Sequence, residues 1–181
     1  MRTTRALISK LHLLGLVLYG LVLSACSQDS EVVTEPVLVR DGIAYYQNTN
    51  ELVTGIVEKF SDNSLLQSRA NYRDGEVVVQ TIFNYFENGQ LEFRENWIDG
   101  VRSGLFEWFY ENGQLDVRGN YRNGVRDGLY ESFHENGQLQ YRGNYTDGVQ
   151  DGLVEFFDED GNLTETRTYR NGELIEENLN P

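Results

Sequence analysis

Cys26, Ser132 and His134 are the side chains whose types could carry nucleophilic chemistry, and their surroundings in the sequence do not assemble it. An activated nucleophile needs a base within hydrogen-bond reach and a third group to orient that base. His134 stands in a column with Phe86, Tyr110 and Asp158, each 24 residues from the next, so this position varies freely in type. Ser132 shares its column with Trp108 and Phe156 and lacks the strand-turn-helix glycines of a nucleophile elbow. One Cys and two His in the whole chain are too few for a Cys/His metal site. The acidic run Asp158-Glu159-Asp160 invites a calcium reading, but a helix-flanked calcium loop needs Gly at its sixth position and Glu at its twelfth. Those positions hold Leu163 and Tyr169. The glycines keep turn spacing rather than phosphate-loop spacing. Glu107, Glu131 and Glu155 could in principle serve as paired carboxylates on a glycan, an envelope-enzyme reading that competes with a strand-pairing role. No catalytic residue, cofactor or metal is assigned. The remaining chemistry is aromatic. Trp97, Tyr121, Tyr145 and Tyr169 form one column, and Phe106, Trp108 and Tyr110 crowd another strand. Two roles are open to them: packing the thin core of a single sheet, or lining a partly exposed groove that binds a peptide, protein or glycan. Trp97, Trp108, Tyr110, Tyr121 and Tyr145 are the candidate binding residues.

These side chains sit in a repeat. Glu-Asn-Gly-Gln-Leu occurs at 87–91, 111–115 and 135–139, with a degraded copy at 159–163. Gly89, Gly113, Gly137 and Gly161 are each 24 residues apart, and a fixed period of that size signals a repeat architecture. Each unit carries a second turn signal, at Asp99-Gly100, Asn123-Gly124, Asp147-Gly148 and Asn171-Gly172. Asn-Gly and Asp-Gly suit two-residue hairpin turns, whose central residues both need positive φ. Apolar and polar residues alternate between the turns, and no stretch after residue 26 holds a helical period. The fold class expected is all-β: an elongated, twisted antiparallel meander of tandem β-hairpins. Weaker copies extend upstream through Phe60–Leu65 and Arg69–Gly75, and Asp41-Gly42 with Gly55–Glu58 reads as an opening hairpin.

A two-residue turn at Asn112-Gly113 sets a register. It puts Tyr110 opposite Leu115, Trp108 opposite Val117 and Phe106 opposite Gly119, on one side of the ribbon. Tyr130 over Gly143 repeats the aromatic-over-glycine pairing, a stabilising device in sheets. The other side carries Glu107 opposite Arg118 and Glu131 opposite Arg142, each pair worth roughly 0.2–1 kcal/mol. The outer copies depart, with Phe83 facing Arg94 and Glu155 facing Thr166. A three-residue loop would void these pairings.

The N-terminus reads as an address. Met1–Lys10 carries three cations and no acid, and Leu11–Leu23 is apolar apart from His12, Tyr19 and two glycines. Basic, then apolar, then small is the layout of a secretory signal. As a helix the run would span roughly 20 Å at about 1.5 Å per residue, short of a ~30 Å hydrocarbon core. It ends in Leu23-Ser24-Ala25-Cys26, which resembles the lipobox of bacterial lipoproteins. The resemblance implies cleavage before Cys26, a lipid on that residue and, with Ser27 rather than Asp following it, the outer membrane. A lone thiol in an oxidising compartment would otherwise be a liability. The expected division is a cleaved signal at 1–25, a polar tether at 26–39, a repeat domain at 40–177 and a tail at 178–181.

Units of the form Gly-Leu-x-Glu-x-Phe-x-Glu-Asn-Gly-Gln-Leu-x-x-Arg-Gly-Asn-Tyr-x-Asn/Asp-Gly, best seen at Gly104–Gly124 and Gly128–Gly148, resemble the bacterial variant of the MORN repeat. Proteins of this kind are often labelled YwqK-like antitoxins. The resemblance implies one hairpin per repeat, a groove along one face and roles in scaffolding or protein binding. The lipid contact of eukaryotic relatives relies on positive charge. Removing the first 25 residues takes the formal charge here from −14 to −17, with 12 basic residues against 29 acids. Such a chain repels phosphate backbones and anionic headgroups, so nucleic acid is excluded as a partner and the lipid role is not carried over. The function expected is a non-enzymatic, lipid-anchored envelope protein that binds an unknown protein or peptide. An antitoxin or immunity role, neutralising an effector, is the alternative.

Overall fold

The computed structural model describes residues 32–179. The signal, Cys26 and Ser27 lie outside the described residues, as do the last two residues of the expected tail.

Alternating side chains punctuated by Gly turns produce an all-β chain. β1 (Val37–Arg40) and β2 (Ile43–Tyr46) pair with each other as a small two-stranded sheet. The other strands form one antiparallel sheet in strict sequence order. They are β3 (Gly55–Phe60), β4 (Leu66–Arg73), β5 (Glu76–Tyr85), β6 (Leu91–Ile98) and β7 (Val101–Phe109). They continue with β8 (Leu115–Arg122), β9 (Val125–Phe133), β10 (Leu139–Thr146), β11 (Val149–Phe157), β12 (Leu163–Arg170) and β13 (Glu173–Leu179). The expected meander is therefore present, as an 11-stranded sheet. At about 4.8 Å per strand it is about 48 Å across.

Two kinds of turn alternate along it. Asp99, Asn123, Asp147 and Asn171 all have φ near 50°, and the glycine after each is also positive. These are the two-residue turns the sequence announces. Asn112-Gly113 is different. Asn112 has no positive φ; only Gly113 does, at 83°. Gly113 N–H donates to the Tyr110 carbonyl and Tyr110 N–H donates to the Gln114 carbonyl, both at 2.8 Å. This closes a three-residue loop, Glu111-Asn112-Gly113, around a type I turn with a bulged glycine. The expected Tyr110–Leu115 pair is thereby replaced by Phe109–Leu115. The rest of the register holds all the same: Trp108 pairs with Val117, Glu107 with Arg118 and Phe106 with Gly119. A shift between Trp108 and Phe109 in β7, against Leu115 and Val117 in β8, takes up one residue at Asp116 and offsets the longer loop.

Glycines in the strands bend the ribbon. Gly104, Gly128 and Gly152 have φ of 95°, 94° and 97°. They lie where the pairing of β6–β7, β8–β9 and β10–β11 slips. A non-glycine residue rarely adopts such a φ, and bulges of this kind increase local twist.

The main sheet has a second layer at its N-terminal end. Val33, Val37, Ala44, Val53 and Val57 form a buried cluster, with Tyr46 and Tyr72 against it. Ala44 N–H donates to the Gly75 carbonyl, and Gly75 N–H donates to the Val53 carbonyl. The opening hairpin therefore does not include Gly55–Glu58. β1 and β2 close on themselves, while β3 pairs with β4. Order also reaches beyond the expected boundaries: Val33 is buried, β1 begins at Val37, and β13 runs to Leu179. Valines at 33 and 37 have an apolar cluster to enter, and β12 offers an edge for β13 to pair.

Candidate interaction face

Register and alternation divide the sheet into two faces. One carries a row of charges across consecutive strands: Arg94, Glu107, Arg118, Glu131, Arg142 and Glu155. Arg94 pairs with Glu107, Arg118 reaches Glu131 at 2.6 Å, and Arg142 reaches Glu131 at 3.1 Å and Glu155 at 3.6 Å. The expected Glu131–Arg142 bridge forms. Arg118, however, bridges Glu131 of the following hairpin, and Glu107 binds Arg94 of the preceding one. The row thus ties hairpins together and also closes the β9–β10 hairpin. Its three glutamates are occupied by arginines.

The opposite face carries the aromatics. Phe106 is buried, and its ring lies over Gly119: a Cβ there would be 2.9 Å from the Phe106 ring and 3.2 Å from that of Tyr130. Tyr130 is paired with Gly143 in register, as expected, but the ring that covers Gly143 is Tyr141. Trp97, Tyr121 and Tyr145 lie on alternate strands of this face, paired in register with Arg102, Arg126 and Gln150 respectively on the strand that follows each. Guanidinium groups interleave with the rings. Arg102 sits over Trp97 at 5.5 Å and over Tyr121 at 5.8 Å; Arg126 sits over Tyr130 at 4.5 Å and over Tyr145 at 5.5 Å. Of the candidate binding residues, then, Trp97, Tyr121 and Tyr145 come together near the two-residue turns. Trp108 is 45% exposed and stacks on Phe93 nearer the other turns. Tyr110 lies just past the end of β7, where its hydroxyl donates to the Phe133 carbonyl at 2.7 Å. Burial first, then Asp116 and Glu135, push that hydroxyl up to about 12.

A groove of about 510 Å³ crosses β9 to β11 on the aromatic face. Tyr130, Tyr141, Phe156 and Arg126 wall it, with Ser132 and Gln140 at one side. Burial raises the Tyr141 hydroxyl above its ordinary range, and Gln150 donates to it at 2.8 Å. Ser132 donates to Gln140 Oε1, and His134 Nε2 bonds the Phe157 carbonyl. Each has a partner other than the other. In the Asp158 loop the carboxylate accepts from the backbone N–H groups of Asp160 and Asn162, so the loop closes on itself as a turn. Among the described residues no group of three or more His, Cys, Asp or Glu could hold a metal.

Sequence reasoning missed how neighbouring turns lock together. Asn88, Asn112 and Asn136 each donate Nδ2 to the carbonyl of Glu111, Glu135 and Glu159, one repeat on, at 2.7–3.1 Å. Their Oδ1 atoms accept from Gln90, Gln114 and Gln138 N–H. Those glutamines pack against the glycine of the following turn. The signal for this was present in the motif: four polar or turn residues repeating together need a shared partner, and the next turn supplies it.

Three tandem stretches match the MORN repeat variant. They cover residues 102–123, 126–147 and 150–171, which are the hairpins β7–β8, β9–β10 and β11–β12. No curated protein matches the chain. A solved structure titled "Crystal structure of GtfA/B complex bound to UDP and GlcNAc" is similar at 13% identity, over 80% of this chain and 26% of that one, with a TM-score of 0.22. A likeness that low carries no argument about function.

Proposed function

We propose that this chain is a non-enzymatic, lipid-anchored envelope protein whose aromatic face binds a partner protein. MORN repeats are generally protein- or membrane-interaction modules. The observation that carries the protein reading is the face itself: Trp97, Tyr121 and Tyr145 in one row, interleaved with Arg102 and Arg126. Tyr, Trp and Arg are the residues enriched at interface hot spots. The opposite face spends its charges on itself. Lipid attachment at Cys26 is supported by the basic-apolar-small order of the first 26 residues and by the lone cysteine. The polar segment expected as a tether at 26–39 then links Cys26 to the sheet, with the outer membrane as the compartment. Metabolic labelling with a palmitate analogue tests the anchor: the chain incorporates label and Cys26→Ala does not. Label in the Ala variant, or none in either, refutes it.

A further inference from the structure

The two arginines of the aromatic face are placed alike and used differently. Arg102 is 3.1 Å from Glu95, a buried carboxylate that also accepts from Trp97 Nε1 at 3.0 Å. Arg126 stands 24 residues on, and the position equivalent to Glu95 is Gly119. Phe106 and Tyr130 occupy the space above that glycine. Among the described residues Arg126 makes no ion pair. In the third repeat Gln150 replaces the arginine altogether. A chain with a formal charge of −14 thus holds one guanidinium between the Tyr130 and Tyr145 rings, in the wall of a groove, with no carboxylate of the described residues in ion-pair range. A guanidinium so placed is set to receive a carboxylate in a two-pronged bond.

We propose that the groove across β9 to β11 binds a pyranose that bears a carboxylate, anchored on Arg126. The rest of the groove fits the sugar. Tyr141 and Phe156, packed edge to face at 5.3 Å, give apolar ring surface for one side of a pyranose, and Gln140, Gln150 and Ser132 give amide and hydroxyl groups for its hydroxyls. A volume of about 510 Å³ lies within the range of small-ligand pockets. Arg126 does not need to move into place, because stacking on two tyrosines orders it before the ligand arrives.

The inference rests on this face being the interaction surface, and it adds the ligand's chemistry. Its test is calorimetric titration of the full chain in detergent micelles with glucuronic acid, glucose, acetate and N-acetyl-aspartate amide. Glucuronic acid gives saturable binding, and the other three bind at least tenfold more weakly. Arg126→Gln weakens glucuronic acid binding by about tenfold to a hundredfold, the range of a charged two-pronged bond. Arg126→Lys falls between, and Arg73→Gln, at the exposed end of β4 and away from the groove, leaves binding unchanged; circular dichroism confirms that each variant is folded. Absence of saturable glucuronic acid binding overturns the proposal, as does equal binding by Arg126→Gln. Equal binding of glucose removes the carboxylate, and equal binding of N-acetyl-aspartate amide removes the sugar. Partner capture that persists while glucuronic acid fails refutes this inference alone; glucuronic acid binding without any protein partner refutes the protein-binding reading alone.

Discussion

At the scale of single residues the repeat motif resolves into contacts. Gly119 is glycine because two rings occupy the space a Cβ would need. Gly119→Ala should cost about 1–3 kcal/mol, the usual penalty of overpacking, seen as a lower urea midpoint with an unchanged slope. Tyr110 tests the turn region through pH. Its folded hydroxyl is raised from the ordinary 10.0 to about 12, so the neutral form is favoured in the folded chain. That stability is fully present below pH 10 and is lost as pH rises toward 12. Tyr110→Phe should therefore be less stable than the parent at pH 7, having lost the bond to the Phe133 carbonyl, and the gap should narrow between pH 10 and 12. A gap that stays constant across that window contradicts the assignment. The residue scale also shows what the sequence hid. The columns argued against His134 and Ser132 as catalysts, and spacing argued against Asp158 in a calcium loop, but their actual partners are a carbonyl, an amide and two backbone N–H groups. Partners of that kind leave no mark on residue type.

Among elements, the hairpin was legible and the turn type was only half so. Asp-Gly and Asn-Gly name the two-residue turns because both residues there need positive φ. The same dipeptide at Asn112-Gly113 ends a three-residue loop, where Asn serves as a backbone cap and only Gly is left-handed. Dipeptide chemistry alone does not separate the two cases. The aromatic and charged pairings survived because the extra loop residue is offset by a bulge at Asp116. Gly104, Gly128 and Gly152 carried a bulge signal that a column of glycines inside a strand implies. The Asn ladder is testable here. Asn112→Asp keeps the acceptor for Gln114 N–H and loses the donor to the Glu135 carbonyl, the substitution that Asp160 makes naturally. It should cost about 0.5–1.5 kcal/mol, one net hydrogen bond, and Asn112→Ala about twice that. A thermal melt that places Asn112→Asp at the parent's midpoint rules out the inter-turn bond.

For the whole molecule, a single sheet with one small second layer has little core to bury. Stability is instead distributed along rows that join each hairpin to the next: the Asn ladder, the Arg–Glu row and the interleaved rings. This is nearest-neighbour architecture, in which each repeat depends on the ones beside it. The meander followed from the 24-residue period, whereas the packing of residues 33–57 over one end did not. That end is irregular in sequence, and its valines find their partners only in three dimensions. The same distribution separates the two faces by task. One face is internally paired in charge, and the other keeps rings and, among the described residues, a half-buried guanidinium without an ion pair. Capture by the full chain of proteins from an envelope extract, run beside a Tyr121→Ala/Tyr145→Ala variant shown to be folded, tests that division most directly. The account predicts that a partner held by the parent is absent from the variant. Recovery of the same partner in equal amount by both would contradict it.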